Sequence, residues 1–166
     1  MATGRTVDRW LRFAIDDSSG TPREIPINTI SPVGLVYDET ELTAFQDVVK
    51  GYLAMHPDAP LDVTGPWGNL TAAALAASGA APVLSGAHTI LNAISAPTFT
   101  TPLGLAVMYG IRGYWTSGDP VFGVVAPSAT SGYVCTKYQV EGDGIYSARF
   151  VPFAGTTPAW GTAILT

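Results

Sequence analysis

The sequence predicts a mainly β, α+β chain: a β-sandwich or barrel flanked by one α-helix, with extended loops or arms. Three observations lead to this fold class. Several segments alternate bulky apolar residues with polar or small ones, which is the two-residue period of a strand. The chain holds 18 glycines and 13 prolines, above average usage and typical of a fold with many turns. Only one segment carries a clear helical stripe.

The strand patterns are clearest in three segments. Residues 7–15 and 103–115 alternate along their length, and the second has one bulky face and one face of small residues. Residues 138–153 predict a hairpin, because Gly142-Asp143-Gly144 accepts the positive φ angles of a tight turn. With shorter runs at 61–70, 118–127 and 132–140, the total is about six or seven strands.

The predicted helix covers residues 39–55. Asp38 is a suitable N-cap, Glu41 completes a capping box, and Pro57 ends the segment. Its apolar stripe consists of Leu42, Phe45, Val49 and Tyr52. We expect this stripe to cover a sheet.

The chain, residues 1–166, is expected to form one domain, since this length suffices for a single core. Residues 16–37 include Pro22, Pro26 and Pro32, which suit an edge strand and extended loop, or an arm that reaches a neighbour. Residues 70–86 predict an alanine-rich loop, with one or two helical turns within 71–94. Residues 154–166 form an apolar tail that docks on its own core or on a partner.

The charge pattern excludes several classes of partner. Charged residues are only 13% of the chain, about half the average share. Either much of the surface faces neighbouring subunits, or the surface is rich in serine, threonine and glycine. The net charge of −5 argues against a protein that grips DNA or an anionic membrane, because those partners need clustered lysine and arginine. No apolar run is long enough to span a bilayer, and no signal peptide is expected.

Catalytic patterns are missing from the sequence. His56 and His88 have no second ligand at metal-site spacing, and Cys135 lies in a predicted strand, where a structural cysteine is expected. No nucleophile elbow, phosphate-binding loop or dinucleotide fingerprint is found. We therefore expect no catalytic residue, cofactor or metal, and a structural or binding protein rather than an enzyme.

Short motifs follow one another along most of the chain: MATGRTVDRWLRFAIDDSSG, then YDETELTAFQDVVKGYL, VTGPWGN, SGAHTIL, GDPVF and finally YVCTKYQVEGDGIYSARFVPF with TPAWGTAIL. These motifs, taken in this order, resemble those of the tail tube (major tail) proteins of long-tailed, siphovirus-type bacteriophages. The sequence departs from the family in two places. The alanine-rich residues 71–82 look like an insertion, and the PWGN turn lacks the usual acidic residue.

The resemblance implies a single tail tube domain whose copies form hexameric rings, stacked into a tube through which DNA passes. It also implies partners at the tube, namely the tail terminator, the tail tip or initiator and the tape measure proteins. Phage DNA would pass without sequence-specific binding, no membrane is involved, and the location is the virion tail, assembled in the host cytoplasm. The charge agrees, because six copies at −5 give a ring of −30 that repels phosphates.

Eight residues are candidate inter-subunit contacts, in the proline-rich segment, the strand at 103–115 and the C-terminal tail: Pro26, Ile27, Ile30, Pro32, Leu105, Val107, Tyr109 and Trp160. Edge strands pair readily across subunits. Two alternatives stay open. One is a capsid decoration or other virion structural protein. The other is a carbohydrate-binding β-sandwich that uses Trp10, Trp67, Trp115 or Trp160 as a platform.

Overall fold

A computed structural model describes residues 10–46 and 48–166, which form twelve strands and one short helix. The strands in chain order are β1 (Leu11–Asp16), β2 (Pro22–Glu24), β3 (Thr29–Ile30), β4 (Val36–Glu41), β5 (Tyr52–Asp58), β6 (Leu61–Pro66), β7 (Ala73–Ala74), β8 (Leu105–Tyr109), β9 (Val121–Val124), β10 (Tyr133–Val140), β11 (Ile145–Pro152) and β12 (Ala159–Gly161). The helix α1 spans His88–Ile94.

The strands form two sheets and a separate hairpin. The first sheet has six strands in the order β12-β9-β8-β1-β2-β7, and the second has four in the order β10-β11-β6-β3. The hairpin pairs β4 with β5 and belongs to neither sheet. All of these strand pairs are antiparallel.

The main core lies between the two sheets. Phe13 on the first sheet meets Phe150 on the second, with ring centroids 5.7 Å apart. One face of α1 closes this core with Ile90, Leu91 and Ile94. The fold is therefore mainly β with one helix, as the sequence predicts.

The outer face of the first sheet carries a second, smaller cluster. Alternation along β1 and β8 sends Phe13 and Val107 inward, while Ala14, Ala106 and Met108 point outward. Trp115 and Leu165 cover these outward residues from a loop and from the C-terminal tail. The first sheet is thus buried on both faces where these segments cross it.

Several predicted elements are present. The strand at 7–15 appears as β1, although residues 7–9 lie outside the described residues. The strand predicted at 103–115 is shorter than expected, because only Leu105–Tyr109 forms β8 and residues 110–115 form a loop. The hairpin at 138–153 appears as β10 and β11, and Gly144 has the positive φ of +81° that its turn requires. The helical turns expected within 71–94 appear as α1.

The prediction of a helix at residues 39–55 is wrong. The described part of this segment forms the end of β4, a loop and most of β5; Asp47 lies outside the described residues. Residues 36–41 pair with 52–58, across a register shift between Tyr37 and Glu39. Among the described residues, no sheet face packs on this apolar stripe, so a helix there would gain no burial.

Candidate assembly surfaces

The β4–β5 hairpin, residues 36–58, is uncovered on both faces. Every side chain that the structure describes in it is exposed. Eight of the fifteen large exposed hydrophobic side chains described in the chain lie here: Val36, Tyr37, Leu42, Phe45, Val48, Val49, Tyr52 and Leu53. An isolated two-stranded hairpin is marginal in water, and a cluster of exposed apolar side chains is typical of an interaction surface.

Charge is also concentrated in this hairpin. Residues 36–58 contain five acidic residues and one lysine, a net charge of −4 of the −5 carried by the whole chain. The remaining residues therefore sum to −1. Lys50 approaches Glu41 at 3.5 Å near the end of the hairpin, where both side chains are largely exposed. Acidic strands with an apolar tip keep the hairpin in water yet leave its tip available for contact.

The predicted arm at 16–37 is largely held on its own chain. β2 and β3 belong to the two sheets, and the backbone carbonyl of Pro26 accepts a 2.6 Å hydrogen bond from the Tyr146 hydroxyl. Ile27 and Ile30 are half-buried against the main core, while Pro32 is exposed. The exposed projection begins where this predicted arm ends. A contact role for these four residues stays a prediction.

The candidates on β8 differ from those near the chain end. Leu105 and Val107 are completely buried in the main core, on a central strand whose two edges are already paired. Their side chains have no surface for another chain. Tyr109 is half-buried and packs against Trp160, which is 54% exposed on the edge strand β12. This edge of the first sheet is available for pairing.

An apolar groove of about 700 Å³ lies at the outer face of the first sheet. One wall is the alanine-rich segment 74–78 and the other is the C-terminal tail, residues 162–166. Trp115 lies between them and donates its Nε1–H to the Asp119 carbonyl at 3.2 Å. Apart from the chain end, the groove is lined by apolar, serine and threonine residues, with no charged side chain.

A buried ion pair anchors the alanine-rich wall. Arg12 donates to both carboxylate oxygens of Glu24, at 2.6 and 3.0 Å, and both side chains are essentially inaccessible to water. Arg12 also donates to the Ala76 carbonyl at 2.9 Å, and the Ala76 N–H donates to Glu24 at 3.4 Å. No local pattern in the sequence indicates Glu24 as the partner of Arg12, because the two residues lie on different strands.

Asp16 and Asp17 line a second cleft beside the same C-terminal tail. Burial raises the pKa of Asp16 to about 6. A 2.8 Å hydrogen bond from the Gly104 N–H lowers the pKa, but by less than burial raises it. Its Oδ1 atom is buried without a hydrogen-bond partner. Burial also raises the pKa of Asp17, but hydrogen bonds from Ser19, Thr21 and Arg23 outweigh it and lower the value to about 2.

The cysteine and the two histidines, which are side chains often used in catalysis or metal binding, lie at separate places in the fold. Burial raises the pKa of the Cys135 thiol to about 11, so it is protonated at neutral pH. His88 shares a 2.7 Å hydrogen bond with the Tyr138 hydroxyl and packs against Trp67. His56 is exposed on β5. Among the described residues, no three His, Cys, Asp or Glu side chains lie close enough to hold a metal ion.

The four tryptophans do not form one platform. Trp115 is buried in the outer cluster, while Trp67 and Trp160 are about half exposed at separate places in the fold. Trp10 directly precedes β1. In the part of the chain that the structure describes, no helix has the length and apolar character needed to cross a membrane.

Comparison with known proteins finds similar folds among solved structures only. Neither the protein-family models nor the curated proteins give a match. Among solved structures, the chain is similar to one in the cryo-EM structure of the anti-feeding prophage baseplate, with a TM-score of 0.61, 11% identity and 97% of each chain covered. It is also similar to a chain of an extracellular contractile injection system, the PVC sheath-tube complex in its extended state. That match has a TM-score of 0.52 and 8% identity, and it covers 96% of this chain and 93% of that one.

Proposed function

We propose that this chain is a structural subunit of a phage-tail-like particle. Its copies associate into hexameric rings, and the rings stack into a tube through which DNA passes. The observation that carries the proposal is the uncovered apolar hairpin at residues 36–58, on a fold similar to chains from a prophage baseplate and from a contractile injection system.

The fold supports this proposal through the extent of the match. The structural likeness runs over nearly the full length of this chain and of its two neighbours, so it concerns the whole sandwich rather than a local motif. One neighbour comes from a six-fold symmetrised baseplate, and the other comes from the sheath-tube complex of a contractile injection system. The proposed role is that of a tail-related subunit, and it holds for a tube with or without a surrounding sheath.

The hairpin supports self-association. A soluble monomer seldom exposes many large apolar side chains in one short segment. If a second chain covers them, the exposed hairpin becomes part of a continuous packed wall. A contact between two different surfaces of the same chain repeats from copy to copy, and it gives a ring if the rotation closes and a filament if it does not.

The charge supports a channel that DNA does not adhere to. Each chain carries −5, and a ring of six carries −30. Phosphates are repelled by such a wall, so DNA would slide through without binding to it. In a tail, the tube would end at a terminator and at a tip or initiator, enclose a tape measure protein, and be assembled in the host cytoplasm.

Sedimentation velocity over a series of protein concentrations tests the proposal. We expect the 17.3 kDa chain to give species of six subunits and larger, growing with concentration. Phe45→Asp should reduce them strongly, because it places a charge at the exposed apolar tip. Gly142→Asp is the matched control, since it adds the same charge at an exposed turn of the sandwich.

Three outcomes separate the proposal from its alternatives. Rings and tubes support it. Discrete trimers or monomers that bind a preformed shell would indicate a capsid decoration protein. Monomers that bind glycans, with binding lost in Trp67→Ala or Trp160→Ala, would indicate a carbohydrate-binding module.

A further inference from the structure

The hairpin raises the question of which surface covers it. Its tip carries Leu42, Phe45, Val48 and Val49, all exposed and all apolar. A surface that receives such a tip needs to be concave, apolar and free of charge, because charged residues are depleted at the centre of protein interfaces.

The groove between residues 74–78 and 162–166 has these properties. Its volume of about 700 Å³ is within the range of ordinary binding pockets. Leu75, Ile164 and Leu165 provide apolar lining, and Trp115 contributes a ring at its base. Since no charged side chain lines the groove, the apolar side chains of the tip can enter it without meeting a buried charge. The same loop contains Asp47 and Lys50 in its sequence, so only its apolar side chains are expected to enter.

The position of the two surfaces in the fold makes this contact intermolecular. The hairpin is inserted between β3 and β6, which are neighbours in the second sheet. The groove lies at the outer face of the first sheet, on the other side of the main core. Every side chain that the structure describes in the hairpin is exposed, so these side chains do not fill the groove of their own chain.

We propose that the apolar tip of the hairpin docks into this groove of a second copy of the chain. Each copy then offers one hairpin and one groove, so the contact is head-to-tail and repeats. This inference rests on the proposed self-assembly and names its two surfaces. It also assigns a role to the alanine-rich segment and to the C-terminal tail, which form the two groove walls that would contact the tip.

Complementation between two defective variants tests the pairing. Phe45→Asp removes the hairpin contact but keeps the groove, whereas Ala77→Glu adds a charge to the exposed groove wall but keeps the hairpin. Each variant alone should remain monomeric through this contact. An equimolar mixture should form a 1:1 complex that grows no further, because the remaining hairpin and groove are both defective. Native mass spectrometry would measure the stoichiometry.

The outcomes distinguish this inference from the proposed function. If Ala77→Glu assembles like the unmodified chain, the groove is not the receptor, although the tube proposal stands. If both variants are monomeric but their mixture stays monomeric, the two surfaces do not pair with each other. If the unmodified chain does not associate at any concentration, the proposed function and the inference both fail.

Cross-linking gives a second measurement that does not depend on disrupting the contact. A chain carrying both Val48→Cys and Ala77→Cys should give a ladder of covalent multimers with a short bis-maleimide, and each single variant should not. The unmodified chain is the control for Cys135, whose thiol is mostly protonated at neutral pH. A ladder of equal intensity in the control, or none in the double variant after assembly, would overturn the pairing.

Discussion

Side-chain burial differs between two regions of the chain: the body, residues 10–35 and 59–166, and the hairpin at 36–58. The body buries even a charged pair, since Arg12 and Glu24 are 2% and 0% exposed. The hairpin exposes even its largest apolar residues, and Val48 is 100% exposed. The body therefore buries its main core within one chain, whereas every described side chain of the hairpin is exposed.

This difference indicates where stability and function lie. Changes in the buried interior of the body should act on the folding of the single chain, because its contacts are internal, whereas a change at its exposed groove should act on association. Changes at the hairpin tip should leave folding of the single chain almost unaffected and act on association instead. The following predictions test that separation.

Phenylalanines in the two regions should differ most. Phe150→Ala removes a fully buried ring that packs against Phe13, and we expect a loss of about 3–5 kcal/mol in the free energy of unfolding. Phe45→Ala should change it by less than about 0.5 kcal/mol under conditions where the chain is monomeric. Urea denaturation of both variants measures this. A large loss for Phe45→Ala would show that the tip packs within its own chain.

Ion pairs in the body should depend on burial. Arg12→Ala leaves the Glu24 carboxylate buried without its partner, and we expect a loss of about 3–5 kcal/mol in unfolding free energy. Arg149→Ala is the matched control, because Arg149 and Asp62 also pair, at 2.7 Å, but are 42% and 52% exposed. Its loss should stay below about 1 kcal/mol. Thermal and urea unfolding would give both values, and equal losses would contradict the assignment.

Asp16 should make the body less stable as pH rises. Its pKa is about 6 in the folded chain and 3.8 in an ordinary aspartate, so the folded state binds the proton more tightly. Stability is then highest below about pH 4 with respect to this group and falls as the pH rises towards 6 and above. Asp16→Asn should be more stable than the unmodified chain at pH 8, by about 1–3 kcal/mol. The gain should vanish near pH 4, and a gain independent of pH would be contrary to this account.

Asp17 should show the opposite dependence. Its pKa is lowered to about 2, so its hydrogen bonds with Ser19, Thr21 and Arg23 contribute fully above about pH 4 and are lost as the pH falls towards 2. Asp17→Asn should lower the unfolding free energy by about 1–2 kcal/mol at pH 7. Unfolding curves at pH 7 and pH 2.5 measure the effect, which should shrink at the lower pH.

The sequence predicted the body better than the hairpin for a physical reason. Alternation within 103–115 and the Gly142-Asp143-Gly144 turn are local signals, and the structure follows the first over residues 105–109 and the second as a hairpin turn. The spacing of Leu42, Phe45, Val49 and Tyr52 predicts a helix face, but apolar spacing alone does not reveal whether a surface exists to bury it. In the described part of the chain no surface covers these side chains, and the flanking residues pair as strands.

The sequence predicted only some of the residues at the candidate assembly surfaces. Trp160 and Tyr109 meet at an accessible edge, but Leu105 and Val107 proved to be core, since one strand with a bulky face fits an interface and a core equally well. The groove joins residues about 90 positions apart in the sequence, and the Arg12–Glu24 pair depends on strand register. Neither leaves a local pattern to detect.

Negative-stain electron microscopy of the purified chain, fresh and after concentration, tests the central claim most directly. The account predicts rings with a central channel, or striated tubes built from such rings, and their loss in Phe45→Asp. Uniform small particles of single-chain size at every concentration would contradict it.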